Sequence, residues 1–185
     1  MKIEDILKIV LEKMEECNID YMITGSFASN LHGIPRTTFD ADIVISADFK
    51  KIKKFAEKIE KDFYTDLSMT KEAIEQRRMF NIIHYETGFK VDFIIKKTGS
   101  YYKKEFQRRK SYQLAGKPCF FASPEDTILS KLLWAQKSES ERQLNDAVGI
   151  AKIQADNLDY EYLEKWAGIL GIAELLDKLI GRLKP

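Results

Sequence analysis

Asp40 and Asp42 open the segment Asp40-Ala41-Asp42-Ile43-Val44-Ile45. The Ile-Val-Ile run predicts a buried strand, and residues i and i+2 of a strand leave the same face. The two carboxylates therefore emerge together, where like charges repel unless a cation stands between them. Oxygen ligands at that spacing suit Mg²⁺, which binds through one or two carboxylates completed by substrate phosphates. Taken alone, such a pair is more often two surface residues at a strand end, so the residues upstream carry weight. Tyr21-Met22-Ile23-Thr24 is a short apolar stretch ending in Gly25-Ser26. Phe27-Ala28-Ser29-Asn30-Leu31-His32 then fits a short helix closed by Gly33. A strand, a Gly-Ser turn and a helix N-terminus form an anion site, because first-turn N–H groups point outward and the helix dipole favours negative charge. Gly25 lets the backbone approach a phosphate closely, and Ser26 adds a hydroxyl donor. The turn Gly33-Ile34-Pro35-Arg36-Thr37-Thr38 brings an arginine just ahead of the acidic strand.

The elements that must position these groups are legible in outline. Ile6, Val10 and Met14 recur at helical spacing and predict an amphipathic helix over 3–17. Strands are expected over 20–24 and 40–46, with the short helix 26–32 between them. Asp48 can cap a lysine-rich helix over 49–61, and a short helix is expected over 71–78. Strands over 81–85 and 89–95 flank Thr87-Gly88, a hairpin signal; 111–115 and 117–121 flank Gly116 in the same way. Ser123-Pro124-Glu125-Asp126 reads as a helix start, with a serine cap, a proline at the first position and acids in the first turn. From there to Leu183 the pattern is helical, broken near Asn157 and Gly171. The chain thus divides into an α/β half, 1–122, and a C-terminal helical region, 123–185.

Composition narrows the function classes. The net charge is +1 over 185 residues, so no global basic field argues for nucleic acid. No apolar run is long enough to span a bilayer. Met1-Lys2-Ile3-Glu4-Asp5 carries acids where a signal peptide needs basic and apolar residues. Cys17 and Cys119 fit neither a disulfide framework nor a zinc motif. These features predict a cytoplasmic protein without a membrane partner. With two histidines and no Ser-His-Asp or Cys-His spacing, nucleophilic catalysis is not indicated.

Gly25-Ser26, then Arg36-Thr37-Thr38, then Asp40-Ala41-Asp42 resembles the signature of the polymerase-beta-like nucleotidyltransferase superfamily. The Arg-x-Thr-x-Asp-x-Asp form is similar to a small bacterial and archaeal branch that includes AbiE-type toxins. Pro124-Glu125-Asp126, Lys131-Leu132-Leu133 and Arg142-Gln143-Leu144-Asn145-Asp146 look like that branch's downstream helices. The resemblance implies a small mixed β-sheet flanked by helices, followed by a helical bundle. It implies Asp92, in Lys90-Val91-Asp92-Phe93-Ile94-Ile95, as third carboxylate and metal ligand beside Asp40 and Asp42. Lys131 would join these three in catalysis, while Gly25, Ser26, Arg36, Thr38 and Asp146 would bind the nucleotide. The cofactor would be two Mg²⁺ ions, with Mn²⁺ as a substitute. The blander readings are that Lys131 snorkels off a core-facing helix and that Asp146 pairs with Arg142 at i, i+4.

The expected activity is transfer of a nucleoside monophosphate from an NTP such as ATP to an acceptor with pyrophosphate released; the sequence leaves the acceptor open among a tRNA end, a protein hydroxyl, a small antibiotic and a nucleotide. A cognate antitoxin or toxin is an expected partner. Two other classes stay open: an NTP-binding regulatory or antitoxin-like module with little turnover, and a nucleic-acid-binding protein. The stretch Lys96 to Lys117 bears on the latter, since it carries eight Lys/Arg against Glu105, interleaved with Tyr101, Tyr102, Phe106 and Tyr112. Such a stretch can track phosphates and stack on bases; it can equally be a surface helix with its aromatics turned inward.

Overall fold

The computed structural model describes residues 2–183. In chain order the elements are α1 (Ile3–Glu16), β1 (Asp20–Thr24), α2 (Gly25–His32), β2 (Asp40–Ser46), α3 (Phe49–Ile59), β3 (Phe63–Tyr64), α4 (Leu67–Glu75), β4 (Met79–His84) and β5 (Lys90–Ile95). They continue with α5 (Ser100–Gln107), β6 (Lys110–Leu114), β7 (Lys117–Phe121), α6 (Pro124–Ser138), α7 (Glu141–Gln154), a 3₁₀ turn at Ala155–Asn157, α8 (Tyr160–Leu170) and α9 (Ala173–Gly181). The backbone forms two compact units. One is the chain up to Thr24 with Thr38–Phe121; the other is Gly25–Thr37 with the chain from Ala122 onward. No described helix is long and apolar enough to cross a membrane.

The first unit is the expected mixed sheet flanked by helices. Its seven strands run in the order β3-β4-β5-β2-β1-β7-β6. β2 and β5 are parallel, as are β1 and β7, and the remaining neighbours are antiparallel. Period-2 alternation sorts the side chains of the central strands. Ala41, Ile43 and Ile45 of β2, Val91, Phe93 and Ile95 of β5, and Phe80 and Ile82 of β4 are all buried. Phe55 of α3 meets Phe93 edge-on at 5.7 Å between ring centroids, and Phe80 stacks on Phe93 at 5.0 Å. That face is the core. The opposite face is half open and carries Asp40, Asp42 and Val44 of β2.

Local signals explain most of the elements. In α1, Ile6, Leu7, Val10, Leu11 and Met14 are buried on one stripe. In α3, the Asp48 carboxylate accepts from Lys51 N–H, and Ile52, Phe55, Ala56 and Ile59 turn inward while Lys50, Lys53, Lys54 and Lys58 stay exposed. The helix expected over 71–78 begins earlier, at Leu67, because Asp66 accepts from the N–H groups of Ser68 and Met69. It also ends earlier, where Arg77 turns left-handed at φ +51°. β3 was not anticipated; two residues are too few for periodicity to register.

In the second unit, Ser123 caps α6 by accepting from Asp126 N–H at 3.1 Å and donating to Asp126 Oδ2 at 2.7 Å. Tyr162 of α8 donates to the other oxygen of Asp126 at 2.7 Å, which accounts for a fully buried aspartate. The helical stretch breaks at Ala155–Asn157 and at Gly171, as the sequence suggests, and also at Glu139, left-handed at φ +49°, between α6 and α7. Segment 25–37 packs within this unit. His32 Nε2 lies 2.8 Å from the Ala122 carbonyl, Gln154 donates to the His32 carbonyl at 2.9 Å, and Gly33 lies flat against Ile150. A Cβ at Gly33 would stand 2.8 Å from Ile150 N and 3.0 Å from its Cα. Backbone on both sides cannot yield cheaply, so Gly33→Ala is expected to destabilise by about 1–3 kcal/mol, the usual cost of overpacking. Urea unfolding of the two proteins measures this, and equal midpoints would show that the segment is not held there.

Candidate functional site

Three carboxylates share the open face of the sheet. In the register of β2 and β5, Asp42 stands opposite Asp92 and Asp40 opposite Lys90. Thr24, the last residue of β1, stands on the other side of Asp42. The i, i+2 spacing of the first aspartate pair and the parallel register together bring Asp92 to the same patch. Thr38 Oγ1 donates to Asp40 Oδ1 at 2.9 Å and so orients that carboxylate. Asp92 is 4 % exposed; its Oδ2 accepts from Lys90 Nζ at 2.7 Å, while its Oδ1 is buried with no hydrogen-bond partner. The hydrogen bond to Asp92 raises the Lys90 pKa against the opposing pull of burial, and the charges of Asp92, Asp40 and Asp42 raise it further. The ammonium therefore stands within the field of all three acids.

A buried carboxylate oxygen left without a donor costs free energy, and a hard cation is the partner that an all-oxygen cluster fits. The residues present thus suit a divalent ion. They are not arranged as a ready cage, since no group of three or more His, Cys, Asp and Glu side chains among the described residues is poised to hold a metal. Lys90 and Asn81 are the members that sequence reasoning passed over. Asn81 stands opposite Asp92 on β4 and is exposed. Lys90 was detectable in principle, because it precedes Asp92 by two residues on one strand; Asn81 needed the register.

The second unit holds the other set. Gly25, at φ +61°, turns the chain from β1 directly into α2, so the glycine sits where a side chain would strain the backbone. Arg36 is clamped at its backbone by Asn30, whose amide donates to the Arg36 carbonyl at 2.6 Å and whose oxygen accepts from the Arg36 N–H at 3.0 Å. Its guanidinium donates to Ser26 Oγ at 2.9 Å and reaches both oxygens of Asp146, Nε at 3.2 Å and Nη2 at 3.1 Å. Lys131 Nζ, on a side chain only 5 % exposed, meets Asp146 Oδ2 at 2.9 Å. Asp146 is therefore the hub of two cations 110 and 15 residues away, in place of the local pairing with Arg142. Burial works to raise its pKa, but hydrogen bonds from Arg36 and Lys131 outweigh this and hold the carboxyl below its usual range. Asn30 is the member of this set that the sequence did not reveal. Ser26, Arg36, Lys131 and Asp146 are thus brought together, as Asp40, Asp42 and Asp92 are in their own unit.

Two other features are built from different residues. Two of the four rings of the basic stretch are turned inward: Tyr101 and Phe106 are buried, while Tyr102 and Tyr112 are half-buried; Lys96 and Arg109 lie over Phe106 at 4.9 and 4.3 Å, and Arg109 also covers Phe120. The chain enters α5 from the C-terminal end of β5, whereas Asp92 lies in its N-terminal half. In the second unit, a cleft of about 620 Å³ is lined by residues including Gln136, Glu139, Leu144, Ile172 and Lys178, and it includes no residue of either set.

The sequence matches no protein-family model and no curated protein. Solved structures do match its fold. An antigenic nucleotidyltransferase-like protein from Paracoccidioides brasiliensis superposes with a TM-score of 0.53 at 21 % identity, over 80 % of this chain and 74 % of that one. The antibiotic-resistance factor ANT(2'')-Ia gives 0.55 at 15 %, over 97 % and 94 %. The lincosamide antibiotic adenylyltransferase LnuA gives 0.54 at 13 %, over 80 % and 95 %. The chain therefore has a nucleotidyltransferase-like fold.

Proposed function

We propose that the protein is a divalent-metal-dependent nucleotidyltransferase, moving a nucleoside monophosphate from an NTP to a hydroxyl acceptor. The observation that carries this is the register pairing of Asp42 with Asp92, whose Oδ1 is buried and without a donor. Asp40, Asp42 and Asp92 would hold Mg²⁺ or Mn²⁺, which supplies charge neutralisation at the phosphates and acidifies a nearby hydroxyl. The acceptor oxygen forms a bond to the α-phosphorus as the α–β bridging bond breaks, and pyrophosphate departs. The proton lost by the acceptor passes to solvent, with the negative charge of Asp92 favouring its departure. Gly25 and Ser26 cradle phosphate oxygens at the start of α2. Arg36 and Lys131, held by Asp146, offset the charge that grows on the leaving group, and Thr38 keeps Asp40 oriented.

The acceptor we favour is a small hydroxyl compound. Of the rings in the basic stretch, Tyr101 and Phe106 are enclosed and not available to stack on bases, and two of the fold's neighbours are an antibiotic-resistance factor and a lincosamide antibiotic adenylyltransferase. The Arg36-x-Thr38-x-Asp40-x-Asp42 form supports the AbiE-type branch, with a cytoplasmic setting and a cognate antitoxin as its companions in this proposal. The test supplies Mg²⁺ and each α-labelled NTP to the protein with small hydroxyl compounds, with RNA and with protein extract. Label should pass to a small molecule with one pyrophosphate released per transfer. Label on RNA or protein would replace the acceptor; tight NTP binding without any transfer would favour a regulatory module.

A further inference from the structure

Lys90 occupies an unusual place for a lysine. It shares a strand face with Asp92, stands opposite Asp40 in the register, and puts its ammonium 2.7 Å from Asp92 Oδ2. Its own side chain is 39 % exposed, while that of Asp92 is 5 % exposed. One oxygen of a buried carboxylate is thus taken by an internal cation and the other is left bare.

We infer that Lys90 is the resident counter-cation of the carboxylate cluster, holding Asp92 through Oδ2 and leaving Oδ1 as the ligand oxygen. The inference rests on the metal-dependent reading above. Two like charges a few ångströms apart on a half-buried surface repel strongly. Lys90 therefore weakens the bare cluster for a divalent cation. A triphosphate reverses the balance, because its negative charge is attracted to Lys90 and its oxygens complete the metal shell. The cluster then takes up metal together with nucleotide and resists metal alone.

Lys90→Met keeps the length and apolar stem and removes the charge. Without nucleotide, this variant should bind Mn²⁺ about tenfold tighter, read by the electron paramagnetic resonance of free Mn²⁺. In chelator, its affinity for ATP should fall, read by calorimetry. Lys90→Arg should leave both near their starting values. A purely structural lysine would move both affinities downward or neither, and that result overturns the inference. If Lys90→Met melts well below the parent, Lys90→Gln gives the same comparison with a neutral donor that can still reach Asp92. A parent protein that binds no Mn²⁺ even with ATP would overturn the metal-dependent reading itself. Parental binding of Mn²⁺ with ATP, and no gain in Lys90→Met without it, would overturn only the role of Lys90.

Discussion

Asp42→Asn is expected to lower nucleotidyl transfer by at least about 10²–10³-fold, the scale of losing one group that stabilises charge in a transition state. The same substitution should leave the fold intact. Asp42 is half-buried on the open face, between Thr24 and Asp92, and Asn keeps its shape. In chelator the change removes one of three clustered negative charges, so the melting temperature should stay level or rise slightly as repulsion is relieved. A site that trades stability for function behaves in this way. The second readout is the coupling between metal and nucleotide. On the proposed reading phosphates would complete the metal shell, so in the parent protein each ligand should strengthen the other by the same factor. Asp42→Asn should shrink that factor, as measured by ATP titrations with and without Mg²⁺. A variant that turns over at the parental rate would remove Asp42 from the chemistry, and one that melts much lower would show that its role is structural.

What the sequence revealed and what it hid follow from the range of the interactions. The same-face pairing of Asp40 and Asp42 depends on two residues of one strand, and the observed register keeps it. The start of α6 depends on Ser123, Pro124 and Asp126, all within one turn, and the serine cap forms as expected. Both hairpins follow from glycines that tolerate a left-handed backbone, Gly88 at φ +68° and Gly116 at φ +77°. The position of Asp92 opposite Asp42 is different in kind. It is a parallel pairing across fifty residues of chain, which no local pattern encodes; only the resemblance pointed to it. The partners of Asp146 were hidden for the same reason. Arg142 stands one helical turn away and is the natural local guess, yet the carboxylate turns to Arg36 and Lys131. The helix over Leu67–Glu75 starts ahead of the expected 71–78 for a plainer reason: the Asp66 carboxylate caps it by accepting from the N–H groups of Ser68 and Met69.

The hub at Asp146 leads to the largest expected effect on stability. Lys131 is almost wholly buried and meets Asp146 at 2.9 Å, so Asp146→Ala takes away the carboxylate to which its ammonium donates there. Breaking a buried pair by removing one partner costs about 3–5 kcal/mol, and here Arg36 also loses its anchor to α7. Lys131→Met should cost less, because it removes the buried charge and leaves Asp146 paired with Arg36. The double variant should then be more stable than Asp146→Ala alone, which is the non-additivity expected of a coupled pair. Acid provides an independent check. Burial favours the neutral acid, but the hydrogen bonds from Arg36 and Lys131 win and depress the folded-state pKa of Asp146. A carboxyl with a lowered folded pKa binds its proton later in the folded state than in the unfolded one. Its contribution is therefore complete above its ordinary value near about 4 and is lost as pH falls toward the folded value. The stability gap between the parent and Asp146→Ala should be constant from pH 6 to 7 and narrow below about pH 4. Denaturant unfolding across that range measures it, and a gap that widened on acidification would mean that Asp146 is held in its neutral form and that Arg36 and Lys131 are paired elsewhere.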